Sequence, residues 1–230
     1  RLPIEPISQA SADQRKGRCG RIAPGVCYRL YSETDFLSRP AYTDAEIRRV
    51  NLASVVLQMQ AFRLGDINRF PFIDPPEPRA IRDAFRLLDE LAALRGGKLT
   101  KIGQQMARLP VDPRLARMLI TSADLGCLNE LLIIVSGLAV QDPRERPSEK
   151  TAAADTAHER FLDERSDFLS LLNLWKWIEE QREELTRNRW QRLLSKQFVS
   201  PQRVREWREL HRQLRLSCRD LGLPENQEAG

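Results

Sequence analysis

The sequence predicts a mainly α chain that opens with the end of an α/β unit and continues through a small mixed module into a helical bundle. Three observations carry this. Beyond Ile102, apolar residues recur almost throughout at helical spacing. Alternation with a period of two, the mark of a strand, runs from Val26 to Tyr31. A pair of glycines at 96 and 97 sits between short apolar runs, as in a tight hairpin.

The first 38 residues hold one helix and one strand, too little for a domain, so they read as the tail of a sheet domain whose other strands lie elsewhere. Ser11 and Gln14 have the S-x-x-Q form of a capping box. The helix it would start carries Gln14-Arg15-Lys16-Gly17-Arg18-Cys19-Gly20-Arg21. Gln14, Arg18 and Arg21 are spaced i, i+4, i+7 and would share one face. Guanidiniums offer forked donors to phosphate oxygens, and an amide can hold a water in line. That suits a transferring phosphoryl group, although a solvated basic helix start has the same composition. The glycines within it point to a close approach to the backbone.

From residue 39 the pattern changes. Thr43-Asp44-Ala45-Glu46 is a second capping box, with a helix expected to about Arg63 and a break at Leu64-Gly65-Asp66. Phe70 to Pro76 is extended because of its prolines. A helix from about Glu77 to Leu94 should bury Ile81, Ala84, Phe85, Leu88 and Leu91. A hairpin at Arg95-Gly96-Gly97-Lys98 follows. Helix, helix, glycine hairpin is the order of a winged helix. Its second helix mixes Arg79, Arg82 and Arg86 with Asp83, Asp89 and Glu90, which favours a structural connector over a reader of a nucleic-acid groove.

Residues 102–222 read as a helical bundle. Asp112-Pro113 is an N-cap with proline behind it, and Leu115, Met118, Leu119 and Leu125 follow up to Gly126. Asn129 to Val140 is apolar nearly all round and reads as buried. Gln141 to Pro147 is a charged, proline-bounded loop expected to be exposed. Ser166-Asp167 begins a helix that should bury Phe168, Leu171, Leu172, Trp175 and Ile178. At this spacing most of Trp175, Trp177, Trp190 and Trp207 should pack in the core.

The last helix starts at Ser200-Pro201, with Val204, Trp207, Leu210, His211, Leu214 and Cys218 inward. Arg205, Arg208, Arg212, Arg215 and Arg219 step by 3, 4, 3 and 4, which confines them to a sector of about 80°. Residues 196–219 hold seven Lys or Arg and two Glu, an excess of five that equals the net charge of the whole chain. Such a stripe repels itself, so an anionic backbone would relieve it; arginine stems covering apolar surface are the alternative.

The whole chain has 230 residues, 41% hydrophobic and 30% charged, with net charge +5. That permits real cores and is compatible with a nucleic-acid partner. The longest apolar run, Leu131 to Val135, is too short to span a bilayer, and no signal peptide is expected. Cys19, Cys27, Cys127 and Cys218 are scattered and only His158 and His211 accompany them, so no metal site is expected. Reduced thiols and a cytoplasmic location follow as expectations. Arg1 in place of Met points to a piece of a longer chain, and 223–230 to a polar tail.

Q-R-x-G-R-x-G-R, as it stands at 14–21, resembles motif VI of the DEAH-box helicases, and Pro6 to Ala12 resembles the lead-in to it. The resemblance continues through Glu46 to Leu52, Asp74-Pro75-Pro76 and Leu109 to Pro113. Gln141 to Pro147 is similar to a stretch in bacterial HrpA-type members. The resemblance implies the end of the second RecA-like domain at 1–38, a winged helix at 39–101, a helical ratchet domain at 102–222 and a tail. It implies an ATP-dependent RNA helicase using ATP and Mg²⁺, completed by the missing RecA-like domains. Arg18 and Arg21 would be arginine fingers, and Gln14 would position the γ-phosphate and water. The arginine-rich last helix, with Arg203, Arg205, Arg208, Arg212, Arg215 and Arg219, would line an RNA channel, with single-stranded DNA a further candidate. No G-x-x-x-x-G-K-[ST] and no D-E-A-H occur in the 230 residues, so no ATPase activity is expected of this stretch alone. A non-catalytic helical adaptor for nucleic acid or protein is the alternative reading.

Overall fold

A computed structural model describes residues 7–20, 22–43 and 51–226. The chain divides into one unit of residues 1–52 and 71–77 and another of residues 53–70 and 78–230.

In the first unit, helix α1 (Gln9–Lys16) starts two residues ahead of the expected box. Ser8, extended at φ −63 and ψ 162, accepts from Ser11 N at 3.2 Å and so caps the helix. Two further N-terminal donors are satisfied across the chain, Gln9 N by Pro40 O at 3.0 Å and Ala10 N by Ala41 O at 2.9 Å. Helix α1 ends at Lys16, and a turn through Gly20, at φ 85, follows. Helix α2 (Glu33–Ser38) is capped by Ser32, which accepts from Asp35 N at 3.0 Å. Arg29 lies 4.0 Å over Phe36 and pairs with Asp13; Arg39 lies 4.0 Å over Tyr31 and pairs with Asp35. The strand expected at Val26 to Tyr31 does not form. Val26, Tyr28 and Leu30 are all exposed, Arg29 and Tyr31 on the alternate positions are only half-buried, and no described segment pairs with this one.

In the second unit, α3 (Leu52–Ala61, all but its first residue in this unit) and α4 (Pro78–Glu90) precede the hairpin β1 (Leu94–Arg95) and β2 (Lys98–Leu99), then α5 (Lys101–Met106). The capping box at 43–46 falls largely outside the described residues. Leu94 pairs with Leu99 and Arg95 with Lys98; Gly96 and Gly97, at φ 56 and 73, give the turn its two left-handed residues. Helix α4 buries Ile81, Ala84 and Leu88, while Phe85 and Leu91 are half-buried. Thr100 caps α5, accepting from Gly103 N at 3.0 Å and donating to Ala92 O at 2.7 Å. The hairpin root and α5 approach so closely that a Cβ on Gly103 would stand 2.1 Å from Ala93 O.

Helices α3, α4 and α10 (Arg187–Lys196) share one ending. Leu64 N bonds Met59 O at 2.9 Å, Ala93 N bonds Leu88 O at 2.8 Å and Val199 N bonds Leu194 O at 2.9 Å. Each is the six-to-one bond of a Schellman turn, with Arg63, Ala92 and Phe198 at positive φ where glycine is usual. Each non-glycine residue there costs about 1 kcal/mol.

The bundle consists of α6 (Pro113–Asp124), α7 (Leu128–Ala139), α8 (Thr151–Glu159), α9 (Asp167–Glu184), α10 and α11 (Pro201–Asp220). Asp112 caps α6 by accepting from Arg114 N at 2.9 Å. Helix α7 is central and packs on α6, α9 and α11. Its Leu128, Leu132 and Val135 are fully buried, as its all-round apolar sequence requires. Trp207 closes over α7 at Gly137, and its Nε1 donates to Ile133 O and Ser136 Oγ, both at 3.0 Å. Trp190 donates to Ile178 O at 3.2 Å, so both buried indoles are satisfied. Trp175 and Trp177 are half-buried against the same core.

Two expectations change in this unit. Phe168, in the first turn of α9, is 46% exposed. The loop at 141–147 is pinned to the segment after α10. Glu145 N bonds Phe198 O and Ser200 N bonds Pro143 O, both at 2.8 Å, around an Arg144–Val199 bridge.

Candidate nucleic-acid interface

Ser200 and Pro201 start α11, and Val204, Trp207, Leu214 and Cys218 bury its inner face. The arginines are thereby turned outward, but they are not equivalent. Arg208 Nε donates to Glu179 Oε1 on α9 at 2.7 Å. Arg212 donates to Glu209 at 2.7 Å, and Arg215 holds Glu225 with bonds of 2.9 and 2.7 Å. Arg203 donates to Asp142 O at 3.0 Å. Arg205 is exposed and its side chain has no hydrogen-bond or carboxylate partner among the described residues, while exposed Arg219 makes no side-chain hydrogen bond there but feels the charge of Glu225. The stripe is therefore partly neutralised from within, and the self-repulsion expected from sequence is smaller than five free arginines would give.

The electrostatics agree. Hydrogen bonding and charge from Glu209 raise the Arg212 pKa, and those from Glu225 raise that of Arg215. Arg212 and then Gln213 lower Glu209, and Arg215 lowers Glu225. His211 lies against Trp175 with ring centroids 4.7 Å apart and the rings tilted by 43°, and burial, reinforced by Arg215, lowers its pKa. It is a neutral packing residue at pH 7. Burial also pushes the Cys218 thiol up to about 11.

Two hollows of about 430 Å³ each share Arg205 and Arg208. One is completed by Arg182, Leu185, Arg187, Trp190 and Gln191 from the end of α9 and the start of α10. The other is completed by Trp175, Glu179, Glu209, His211 and Arg212. Four guanidiniums converge on the first, around the apolar floor of Leu185 and Trp190, and none of its lining residues is acidic. Arg182 and Arg187 were not singled out by the sequence reading. Their signal was the helix break at Leu185-Thr186, which lets two arginines from different helices face one hollow.

The residues at the chain start are not assembled in the way expected. Gln14 lies on α1, but the helix ends before Arg18, so the spacing i, i+4, i+7 does not put them on one helical face. Both are exposed, and their side chains have no hydrogen-bond or ion-pair partner among the described residues. Arg21 lies outside the described residues. Among those described, no group of three His, Cys, Asp or Glu could hold a metal ion. No described helix is long and apolar enough to cross a membrane.

Residues 84–111 match the winged-helix part of the helicase associated domain (HA2), and residues 112–171 match its ratchet-like part. The chain is 54% identical over 236 residues to the ATP-dependent RNA helicase HrpA homolog of Haemophilus influenzae, covering 99% of this chain and 18% of the relative. It is 54% identical over 234 residues to the ATP-dependent RNA helicase HrpA of Escherichia coli, with the same coverage. It is 39% identical over 220 residues to the probable ATP-dependent RNA helicase DHX34 of mouse, covering 94% of this chain and 19% of that one. The chain thus spans about a fifth of the length of the curated relatives it matches.

Proposed function

We propose that this chain, which carries the winged-helix and ratchet-like parts of a helicase-associated domain, is a segment of a bacterial HrpA-type DEAH-box ATP-dependent RNA helicase. The observation that carries the reading is 54% identity along 99% of the chain to two bacterial RNA helicases. On this reading residues 1–38 end the second RecA-like domain, 39–101 form the winged helix, 102–222 the ratchet and 223–230 a tail. RNA is the partner, together with the RecA-like domains of the same protein.

In the intact enzyme, bound ATP with Mg²⁺ would supply the phosphoryl group whose transfer drives RNA movement. The residues here suit one side of such a site. Among the described residues Arg18 has no carboxylate to satisfy it, which leaves its forked donors available to phosphate oxygens. Arg21 adds a second guanidinium, and the Gln14 amide can orient a water. These 230 residues contain neither a phosphate-cradling P-loop nor the D-E-A-H carboxylates. The metal and the rest of the phosphate cradle would be held by other parts of the enzyme.

On the ratchet, Arg205 and its neighbours would hold the RNA backbone independently of sequence. The decisive experiment is ATP hydrolysis and strand separation by the full-length protein, with and without Arg18→Ala and Arg21→Ala. Each substitution should lower RNA-stimulated turnover by about 10³-fold or more while RNA binding persists. Full activity in both variants would overturn the finger assignment. Residues 1–230 alone should not hydrolyse ATP, and RNA-stimulated turnover by them would contradict this.

A further inference from the structure

A further hollow lies away from the arginine stripe, where α3 ends beside the hairpin. It has a volume of about 810 Å³ and is bounded by the end of α3, the hairpin strand β2 and α5. Gln58, Phe62, Arg63, Lys98, Gln104 and Arg108 supply its chemistry. Among the described residues its lining contains no carboxylate. Arg63, Lys98 and Arg108 form no ion pair or hydrogen bond through their side chains among the described residues. This distinguishes them from Arg208, Arg212 and Arg215 on α11, which are paired. Three cations around one concavity with no internal anion favour an anionic occupant.

The same hollow presents an aromatic ring. Phe62 is 69% exposed where α3 ends. The Schellman turn that ends the helix sets Arg63 at φ 56, a position where glycine is favoured. Arginine is retained there at a conformational cost, next to the exposed ring. Gln58 is held in the wall by donating to Ala107 O at 2.9 Å, which leaves its carboxamide oxygen as an acceptor. The Gln60 and Gln104 side chains have no partner among the described residues and offer both donors and acceptors.

We infer that this hollow is a second contact for single-stranded RNA, with Phe62 stacking a base and Arg63, Lys98 and Arg108 holding the flanking phosphates. An acidic polypeptide would use the cations, but it would leave the exposed ring and the carboxamide edges without matching groups. A nucleotide strand uses all three kinds of group. The contact rests on the RNA reading proposed above, yet it uses elements other than α11, so the two can fail separately.

The test is binding of a fluorescein-labelled oligouridine to the full-length protein across a salt series. The triple variant Arg63→Gly, Lys98→Gln, Arg108→Gln removes the charges, and its glycine relieves the left-handed residue, so folding should survive. Affinity should drop about tenfold at low salt, and the slope of log K against log salt should shrink by about 2, roughly 0.7 per phosphate lost. Phe62→Ala alone should lower affinity about fivefold or more and leave the slope unchanged. Photo-crosslinking of a 4-thiouridine oligomer should label the peptide containing Phe62. If the triple variant and Phe62→Ala bind as the parent does while Arg205→Ala is weakened, the second contact is wrong and the RNA reading stands. If the parent binds no oligouridine, both fail. Poly-glutamate that binds the parent more tightly than oligouridine does, and loses that binding in the triple variant, would overturn the inference in favour of an acidic protein partner.

Discussion

Glu179 on α9 accepts from Arg208 on α11 at 2.7 Å, and the same carboxylate accepts from Arg182 at 3.2 Å. One internal anion thus occupies two of the four guanidiniums around the hollow floored by Leu185 and Trp190. A neutral acceptor holds an arginine about half as strongly as a charged one. Glu179→Gln should therefore release both arginines to an external phosphate. Oligouridine affinity of the full-length protein should rise about threefold or more at low salt, with a steeper salt slope. The pair is partly exposed, so stability should change by less than about 1 kcal/mol. Unchanged or weaker binding would mean that RNA does not reach this hollow.

The arginines of α11 should also differ among themselves. Arg205 has no side-chain partner among the described residues and lines both hollows, whereas Arg212 is held by Glu209. Arg205→Ala should reduce the salt slope by about 0.7, the loss of one single-strand phosphate contact. Arg212→Ala should have a smaller effect, since its cation is already matched. Equal effects would show that the partners seen here open on binding. Loss of neither slope would remove the stripe from the RNA path.

The bundle was legible because its signals are local. Asp112-Pro113 and Ser200-Pro201 mark helix starts, and the apolar stretch from Asn129 to Val140 marked a buried helix, although Leu138 near its end is 44% exposed. The stops were less legible. Arg63, Ala92 and Phe198 adopt the left-handed position usually given to glycine, and nothing in their chemistry announces it. The period of two at Val26 to Tyr31 was a true pattern with no described partner, and alternation alone cannot supply a ladder. At the candidate interface the spacing of the α11 arginines gave their common face, but not which of them are neutralised. Glu179 and Glu225 are 29 and 10 residues from the arginines they hold. The Phe62 hollow joins residues from 58 to 108 and has no sequence motif.

Gly137 should not tolerate a methyl group, even though alanine is the better helix former by about 1 kcal/mol. A Cβ there would lie 3.0 Å from Cε2 and Cζ2 of Trp207. Trp207 cannot retreat easily, because its ring nitrogen is committed to Ile133 O and Ser136 Oγ. Overpacking of this kind costs about 1–3 kcal/mol. Gly137→Ala should lower stability in urea by about 1 kcal/mol or more and alter tryptophan fluorescence. A gain in stability would mean that α7 and α11 are packed less closely than this.

Gly103 makes a harder contact, because its neighbour is backbone. A Cβ would stand 2.1 Å from Ala93 O, the carbonyl that accepts from Thr100 N at 3.0 Å. Relief requires moving the hairpin root against α5. Gly103→Ala should cost about 3 kcal/mol, the upper end for overpacking. Its effect should be larger than that of Gly137→Ala in the same urea titration. A smaller effect would place slack between β1 and α5.

Acid should weaken the bundle before its carboxylates titrate. His158 is 3% exposed, and its Nε2 is 3.1 Å from both Gln197 O and Phe198 O, so that nitrogen carries the proton. Nδ1 is buried with no hydrogen-bond partner among the described residues, and a second proton would have to sit there. Burial, opposed by those two carbonyls and reinforced by Arg144 and Arg146, lowers the His158 pKa below its ordinary 6.5. Burial lowers that of His211 as well. Below about pH 6.5 the unfolded chain therefore binds protons that the folded chain refuses. Stability is complete above that pH and falls as pH drops towards the folded values. The carboxylates paired with arginine add to this only below about pH 4.5. Urea midpoints of the full-length protein's bundle transition should therefore fall between pH 7 and pH 5. His158→Gln keeps an N–H for the two carbonyls and removes one titration, so it should roughly halve the slope in that window. An unchanged slope would mean that His158 can be protonated in place, and that its contact between α8 and the segment after α10 survives the charge.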